Sequence, residues 1–176
     1  MIDAISKAPP YDQYGSHVPF LVRCAIRTKG PMLELGSGFY STPVLHEIAQ
    51  TMNRPLLTLD DSERWLAHQN DLCVPPHEFG VSEDLRQHSR LLKPMNADRW
   101  GLVFVDSSPA ETRGELVMML KDIADIIVCH DTEDYHDYVH KYQAAFSTFP
   151  HRVDYTRVRP YTSAVSALHD LEFLRR

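Results

Sequence analysis

The sequence is short of positive charge. Its 18 Lys and Arg stand against 24 Asp and Glu, a formal net charge of −6. Affinity for a nucleic-acid backbone comes largely from Lys and Arg, so the balance argues against nucleic acid as the main partner. Arg152, Arg157 and Arg159 form the one local basic candidate, and they read as a solvated strand face. Cysteine is scarce too. Cys24, Cys73 and Cys129 are odd in number, far apart and never in a Cys-x-x-Cys spacing. That argues against a disulfide framework and fits reduced, mostly buried thiols. No apolar run reaches membrane-spanning length, and the N-terminus lacks the basic-then-apolar pattern of a signal peptide. The expectation is a cytoplasmic protein without a membrane partner. Internal repeats and low-complexity tracts are also missing.

What is present suits one folded domain. The chain has 176 residues, 43% hydrophobic and 24% charged. A chain of this length buries about 70% of its unfolded surface without disulfide or metal staples. The most informative stretch is Met32-Leu-Glu-Leu-Gly-Ser-Gly-Phe-Tyr-Ser-Thr-Pro43. It reads as a short buried strand, a glycine turn and a helix start. Gly36 and Gly38 permit backbone conformations and close approach that a side chain would block. Ser41 or Thr42 is placed to cap the helix, with Pro43 in its first turn. Free N–H groups and a partial positive charge at the helix N-terminus then face the turn, which suits a cofactor.

Along the chain, residues 1–15 read as an irregular arm and 16–29 as an amphipathic helix. These make an N-terminal segment, 1–29, ahead of a domain over 30–176. Apolar strands are expected at 31–35, 55–59, 77–82, 101–106 and 125–130. Helices are expected at 42–52, 62–71 (capped by Ser62), 110–121 and 133–147. Two β-rich runs, 151–158 and 162–168, read as an antiparallel hairpin. Strands alternating with helices imply right-handed crossovers and a mainly parallel sheet. Its strands end in Gly36 to Gly38, Asp60, Asp106, and His130 with Asp131. In open α/β sheets ligands sit beyond the carboxyl ends of the strands, so these residues converge on one edge.

Glu34-Leu-Gly-Ser-Gly38 after a strand, with Asp60 ending the next, resembles the class I S-adenosylmethionine-dependent methyltransferases. Trp100-Gly-Leu-Val-Phe-Val-Asp106 is similar to the family's fourth-strand motif, and Asp125-Ile-Ile-Val-Cys-His-Asp131 to its fifth. The closing β pair matches the family's reversed final hairpin. The resemblance runs over about residues 30 to 170. It implies a three-layer Rossmann-like α/β fold, with a seven-stranded, mainly parallel sheet and one antiparallel strand in the C-terminal hairpin. It implies S-adenosylmethionine as cofactor. Gly36, Ser37 and Gly38, flanked by Ser41, would approach its methionine part, with Glu34 under the loop. Asp60, with Asp61 beside it, would accept hydrogen bonds from the ribose hydroxyls. A group near Ser82 to Asp84 would reach the adenine. Asp106 would lie near the cofactor amino group or the transferred methyl. Tyr40 stands where the family's third glycine is expected.

Methyl transfer needs alignment and removal of a proton from the nucleophile. Asp106, His130 and Asp131 are the candidate bases, and a histidine near its ordinary pKa suits neutral pH. The same three are candidate ligands for Mg²⁺ or another divalent metal, as in some small-molecule O-methyltransferases of this family. Each has a plainer reading as a helix cap or a satisfied structural group. Arg113 reads as a surface residue or as one that steers an anionic substrate. Tyr11, Tyr14 and His17 read as a lid or as aromatic anchors, and Trp65 and Trp100 as packing residues. His136 and His140 read as a polar helix face.

The function expected is methyl transfer to a small molecule, to an oxygen. Two alternatives stand beside it. One is a Rossmann-type NAD-dependent oxidoreductase, because Asp60 follows the glycine turn at a spacing that suits NAD. The other is a degenerate cofactor-binding module that acts through a protein partner. The sequence also allows a homodimer, through the final β pair or the N-terminal helix, and favours neither surface.

Overall fold

Seven strands form one sheet, in the order β3-β2-β1-β4-β5-β7-β6. The structure, a computed structural model, describes residues 13–87 and 92–175. Tyr11 and the rest of the arm over 1–12, and part of the region expected as a turn or short helix at 83–93, lie outside them. The strands are β1 (Met32–Leu35), β2 (Leu56–Asp60), β3 (His77–Val81), β4 (Trp100–Val105), β5 (Ala124–His130), β6 (His151–Tyr155) and β7 (Thr162–Ser166). The helices are α1 (Val18–Ala25), α2 (Ser41–Met52), α3 (Glu63–Ala67), α4 (Arg113–Leu120), α5 (Asp137–His140) and α6 (Tyr142–Phe146). β1 pairs in parallel with β2 and β4, β2 with β3, and β4 with β5. β7 alone runs against its neighbours, β5 and β6. The expected fold class is therefore the observed one.

Side chains alternate across the sheet with period two, and both faces are covered. Met32, Leu56, Leu102, Phe104 and Val128 pack under α1 and α2. Leu33, Leu35, Val103, Val105 and Ile127 pack under α4 and α6. Strands buried on both faces read as continuous apolar runs, as β4 and β5 do. Their carboxyl ends are level, because Leu35 aligns with Leu59 and Val105, and Val105 with Cys129. The polar residues after those positions thus share one edge. Among the described residues, no helix is long and apolar enough to cross a membrane.

Several boundaries differ from the sequence reading. Neither Ser41 nor Thr42 caps α2. Tyr40 holds the cap position without a side-chain bond, and Thr42 Oγ1 instead accepts from the Gly38 N–H at 2.9 Å. Ser62 does cap α3, accepting from the Trp65 N–H. That helix stops at Ala67, short of the expected residue 71. The single helix expected over 133–147 is a short 3-10 turn followed by α5 and α6, broken at Lys141 with φ +57°. The break has a partner. A Cβ added to Gly114 of α4 would stand 2.6 Å from the Lys141 carbonyl oxygen and 2.8 Å from that of His140. The two backbones touch there, so the chain turns around α4.

Candidate active site

The glycine turn is held from three sides. Gly36 has φ +88°, the left-handed region that favours glycine. A Cβ there would lie 2.4 Å from the Asp106 carbonyl oxygen. The backbone N–H and the hydroxyl of Ser37 both donate to Asp60 Oδ2, at 2.8 and 3.0 Å. Asp60 Oδ1 accepts from the Ser62 N–H at 2.9 Å. Trp65 Nε1 donates to the Ser37 carbonyl at 2.7 Å. Trp65 is thus more than a packing residue. It stands half-exposed at the rim, edge-on to Phe39.

A cavity of about 740 Å³ opens beside this turn. Ser37, Gly38 and Ser41 line it together with Asp106, His130 and Asp131. The sequence reading placed all six at the site, and the fold brings them together. Glu34, Gly36, Asp60 and Asp61 do not line the cavity. Gly36 and Asp60 hold the turn from behind, Glu34 lies below it, and Asp61 is exposed. Partial burial and the charge of Asp60 raise the Asp61 pKa. Ser82 and Asp84 do not line it either, and Asp84 is paired with Arg86 at 2.9 Å.

Below the turn, Glu34 is fully buried. Thr58 donates to Glu34 Oε2 at 2.7 Å, so its one hydroxyl proton is used. The contact of 2.8 Å with His77 Nε2 is then donated by His77. His77 Nδ1, left with its lone pair, accepts from His46 Nδ1 at 3.2 Å. Burial and the neighbouring His46 lower the His77 pKa to about 3, so it stays neutral. Glu34 therefore faces hydroxyls and no cation. Burial raises its pKa to about 7, against the Ser41, Thr58 and Thr42 hydroxyls, which favour the charged form.

Arg113 joins the two aspartates without itself lining the cavity. Its Nη2 stands 3.0 Å from Asp106 Oδ1 and its Nη1 3.1 Å from Asp131 Oδ2. Its Nε donates to the Ser107 carbonyl at 2.7 Å. The side chain is buried, which corrects the expectation of a surface or steering arginine. Nothing in the local sequence marks it, because an Arg in the first turn of a helix usually faces solvent.

The protonation of His130 follows from its neighbours. Ser16 donates its one hydroxyl proton to the Pro160 carbonyl at 2.7 Å. The contact between Ser16 Oγ and His130 Nε2, at 3.1 Å, is then donated by His130. The other ring nitrogen, Nδ1, faces Asp106 Oδ2 at 3.3 Å and Asp131 Oδ1 at 3.7 Å. Carboxylates only accept, so Nδ1 carries a proton as well. Burial works against this charge, but the bond to Asp106 prevails and the pKa is raised. Burial likewise opposes ionisation of Asp106, and His130 with Arg113 prevails to lower its pKa.

His17 completes the wall, with Tyr14 beside it. It is buried, edge-on to His130 at 4.5 Å between ring centroids, and both its nitrogens lack a hydrogen-bond partner. Burial and the His130 charge lower its pKa to about 3.

Asp106, His130 and Asp131 do bring one ligand atom each within 4.8 Å of one another, as a metal site requires. The charges do not suit a divalent ion. Arg113 already occupies one oxygen of each carboxylate, and the single Nδ1–H of His130 faces the other two, at 3.3 and 3.7 Å. The cluster is neutral as it stands. A divalent ion would leave it net positive even after His130 gave up a proton, with the guanidinium still paired to an oxygen of each carboxylate. The residues do not fit the metal.

Comparison by sequence finds no match, either to a protein-family model or to a curated protein. Comparison by structure does. The O-methyltransferase from Bacillus cereus in complex with SAH superposes with a TM-score of 0.66 at 14% identity, over 94% of this chain and 87% of that one. The SAH-bound Podospora anserina methyltransferase PaMTH1 gives 0.62 at 15% identity, over 92% and 82%. The Methanococcus jannaschii fibrillarin pre-rRNA processing protein gives 0.55 at 12% identity, over 89% and 77%. The chain has the Rossmann-like fold of the class I S-adenosylmethionine-dependent methyltransferases. That fold hosts more than one kind of acceptor, so the reaction has to be argued from the site.

Proposed function

We propose that the protein transfers a methyl group from S-adenosylmethionine to an oxygen of a small molecule held in the cavity. One observation carries this reading. The stapled glycine turn and the Asp106–His130–Asp131 cluster line one cavity at the carboxyl edge of the sheet. The cofactor, when bound, supplies an activated methyl on a sulfonium. Gly38 and the Ser37 backbone leave room for its methionine part, and Asp60 fixes the loop that receives it. The acceptor hydroxyl docks against the Asp106–His130–Asp131 cluster.

Proton removal falls to the carboxylates. His130 is doubly protonated in its resting pairing, so it orients Asp106 and Asp131 instead of serving as the first acceptor. This revises the role expected of it from sequence, while keeping all three residues in the catalytic group. Alignment of the reacting atoms supplies the larger part of the rate.

Thermal melting with S-adenosylmethionine, S-adenosylhomocysteine and NAD tests the reading. A ligand at a hundred times its dissociation constant stabilises by about 2.7 kcal/mol. The two sulfur ligands are expected to raise the melting point and NAD to leave it unchanged. Stabilisation by NAD alone would sink the proposal, and stabilisation by none would favour a degenerate module.

A further inference from the structure

We infer that Arg113 is the positioning residue of this site and stands, as a built-in cation, where a divalent ion would otherwise hold the carboxylates of Asp106 and Asp131. The inference about the carboxylates rests on the ion pairs alone. Only its consequence for turnover rests on the methyl-transfer reading.

The arrangement is over-determined. The guanidinium is planar and always charged, and its fork suits carboxylates at fixed separation. Its two Nη atoms take one oxygen each from Asp106 and Asp131. Its Nε is tied to the Ser107 carbonyl, so the fork cannot rotate away. Gly114, the next residue, packs against the backbone of His140 and Lys141 and fixes the start of α4. His140 Nδ1 lies 2.9 Å from the Asp131 carbonyl oxygen and holds that residue from the other side. Asp131 itself has φ +56°, a strained conformation for a non-glycine residue. The ion pair with Arg113 and this contact keep its carboxylate beside Asp106.

The carboxylates and His130 still have their ligand atoms close enough for an ion. Removing the Arg113 charge therefore uncovers a latent metal site. Like-charge repulsion is gone, and two carboxylate oxygens are left without a donor. The acceptor, in turn, meets carboxylates instead of a metal. It need not present two adjacent oxygens for chelation.

The test is Mn²⁺ binding to the whole chain, followed by electron paramagnetic resonance and calorimetry, for wild type, Arg113→Gln, Arg113→Lys, Asp106→Asn and Arg113→Gln with Asp106→Asn. Asp106→Asn is chosen because Asp131 also belongs to a second cluster, with Glu133 and His136. Wild type is expected to show no site abolished by Asp106→Asn. Arg113→Gln should bind Mn²⁺ on the order of tenfold tighter or more, about 1.4 kcal/mol per factor of ten. The added Asp106→Asn should erase the gain. Arg113→Lys keeps the charge but not the fork, so it should fall between. Wild-type binding of Mn²⁺ at one site, lost on Asp106→Asn and no weaker than in Arg113→Gln, would overturn the inference, and so would a folded Arg113→Gln with no gain. If Arg113→Gln fails to fold, the wild-type and Arg113→Lys measurements decide it: wild-type binding at an Asp106-dependent site overturns it, and a gain in Arg113→Lys alone supports it. None of these readings depends on whether S-adenosylhomocysteine binds.

Discussion

Asp60 Oδ2 accepts from both the backbone N–H and the hydroxyl of Ser37, at 2.8 and 3.0 Å. The carboxylate that ends β2 thereby staples the turn that ends β1. Its other oxygen holds the first turn of α3 through Ser62. One residue thus fixes both the turn that lines the cavity and the start of α3.

Asp60→Ala is therefore expected to do two things. It leaves the Ser37 and Ser62 donors unpaired, which costs about 1–3 kcal/mol of stability. It also weakens S-adenosylhomocysteine binding by roughly tenfold or more, equivalent to about 1.4 kcal/mol. Urea denaturation reads the first and calorimetric titration the second. Unchanged affinity in a folded variant would refute the role of Asp60 at the cofactor wall.

Gly36 and Gly38 look alike in the sequence and differ in the structure. Alanine at Gly36 would set its Cβ 2.4 Å from the Asp106 carbonyl oxygen and 2.7 Å from the Ser107 Cα, in a left-handed conformation. β1 and β4 would have to separate at the cavity edge. A loss of about 3 kcal/mol or more is expected. Alanine at Gly38 would meet only Ser41 Oγ, at 3.1 Å. That variant should fold with near-normal stability and lose cofactor affinity instead. Equal denaturation midpoints for the two variants would contradict the distinction.

The strands and their polar ends were legible because burial on both faces writes itself as an unbroken apolar run, as in Trp100–Val105 and Ala124–His130. The turn was legible because Gly36 answers a backbone need. The clamp was not. Arg113 is buried by contacts with Ser107, Asp106 and Asp131, which come from two other segments. Likewise, no glycine or proline marks the break at Lys141, and the glycine it packs against, Gly114, sits on α4. The chain from His46 to Glu34 joins three strands and a helix, and its spacing follows no local rule.

The two tryptophans divide cleanly between core and rim. Trp100 is fully buried, with its indole N–H donated to the Leu92 carbonyl at 2.7 Å. Trp65 is 38% exposed, lines the cavity and is tethered to Ser37. Binding of S-adenosylhomocysteine should change the fluorescence through Trp65 alone. Trp65→Phe is expected to silence the change while calorimetry still detects binding. A signal that survives the substitution would place the reporting environment at Trp100 and the ligand elsewhere.

Glu34 gives the protein a pH dependence whose sign is fixed by burial. Its ordinary pKa of 4.5 rises to about 7 in the folded state, because the side chain is fully buried and no cation answers it. The groups around it are the hydroxyls of Thr58, Ser41 and Thr42, neutral His77 behind Thr58, and Asp106, whose charge raises the pKa further. Below 4.5 both folded and unfolded chains hold the proton, and Glu34 costs nothing. Between 4.5 and about 7 the unfolded chain releases it and the folded one does not. Stability then falls as pH rises, by up to about 1.4 kcal/mol per unit, and levels off above the folded value. The accumulated loss is on the order of 3 kcal/mol. Glu34→Gln keeps the shape and a hydrogen-bonding group without the charge, so its stability curve should lack this slope. The gap between variant and wild type should open through that window and stay open at higher pH. Parallel curves for the two proteins across the window would show that Glu34 ionises as an ordinary carboxylate and that its burial is relieved in solution.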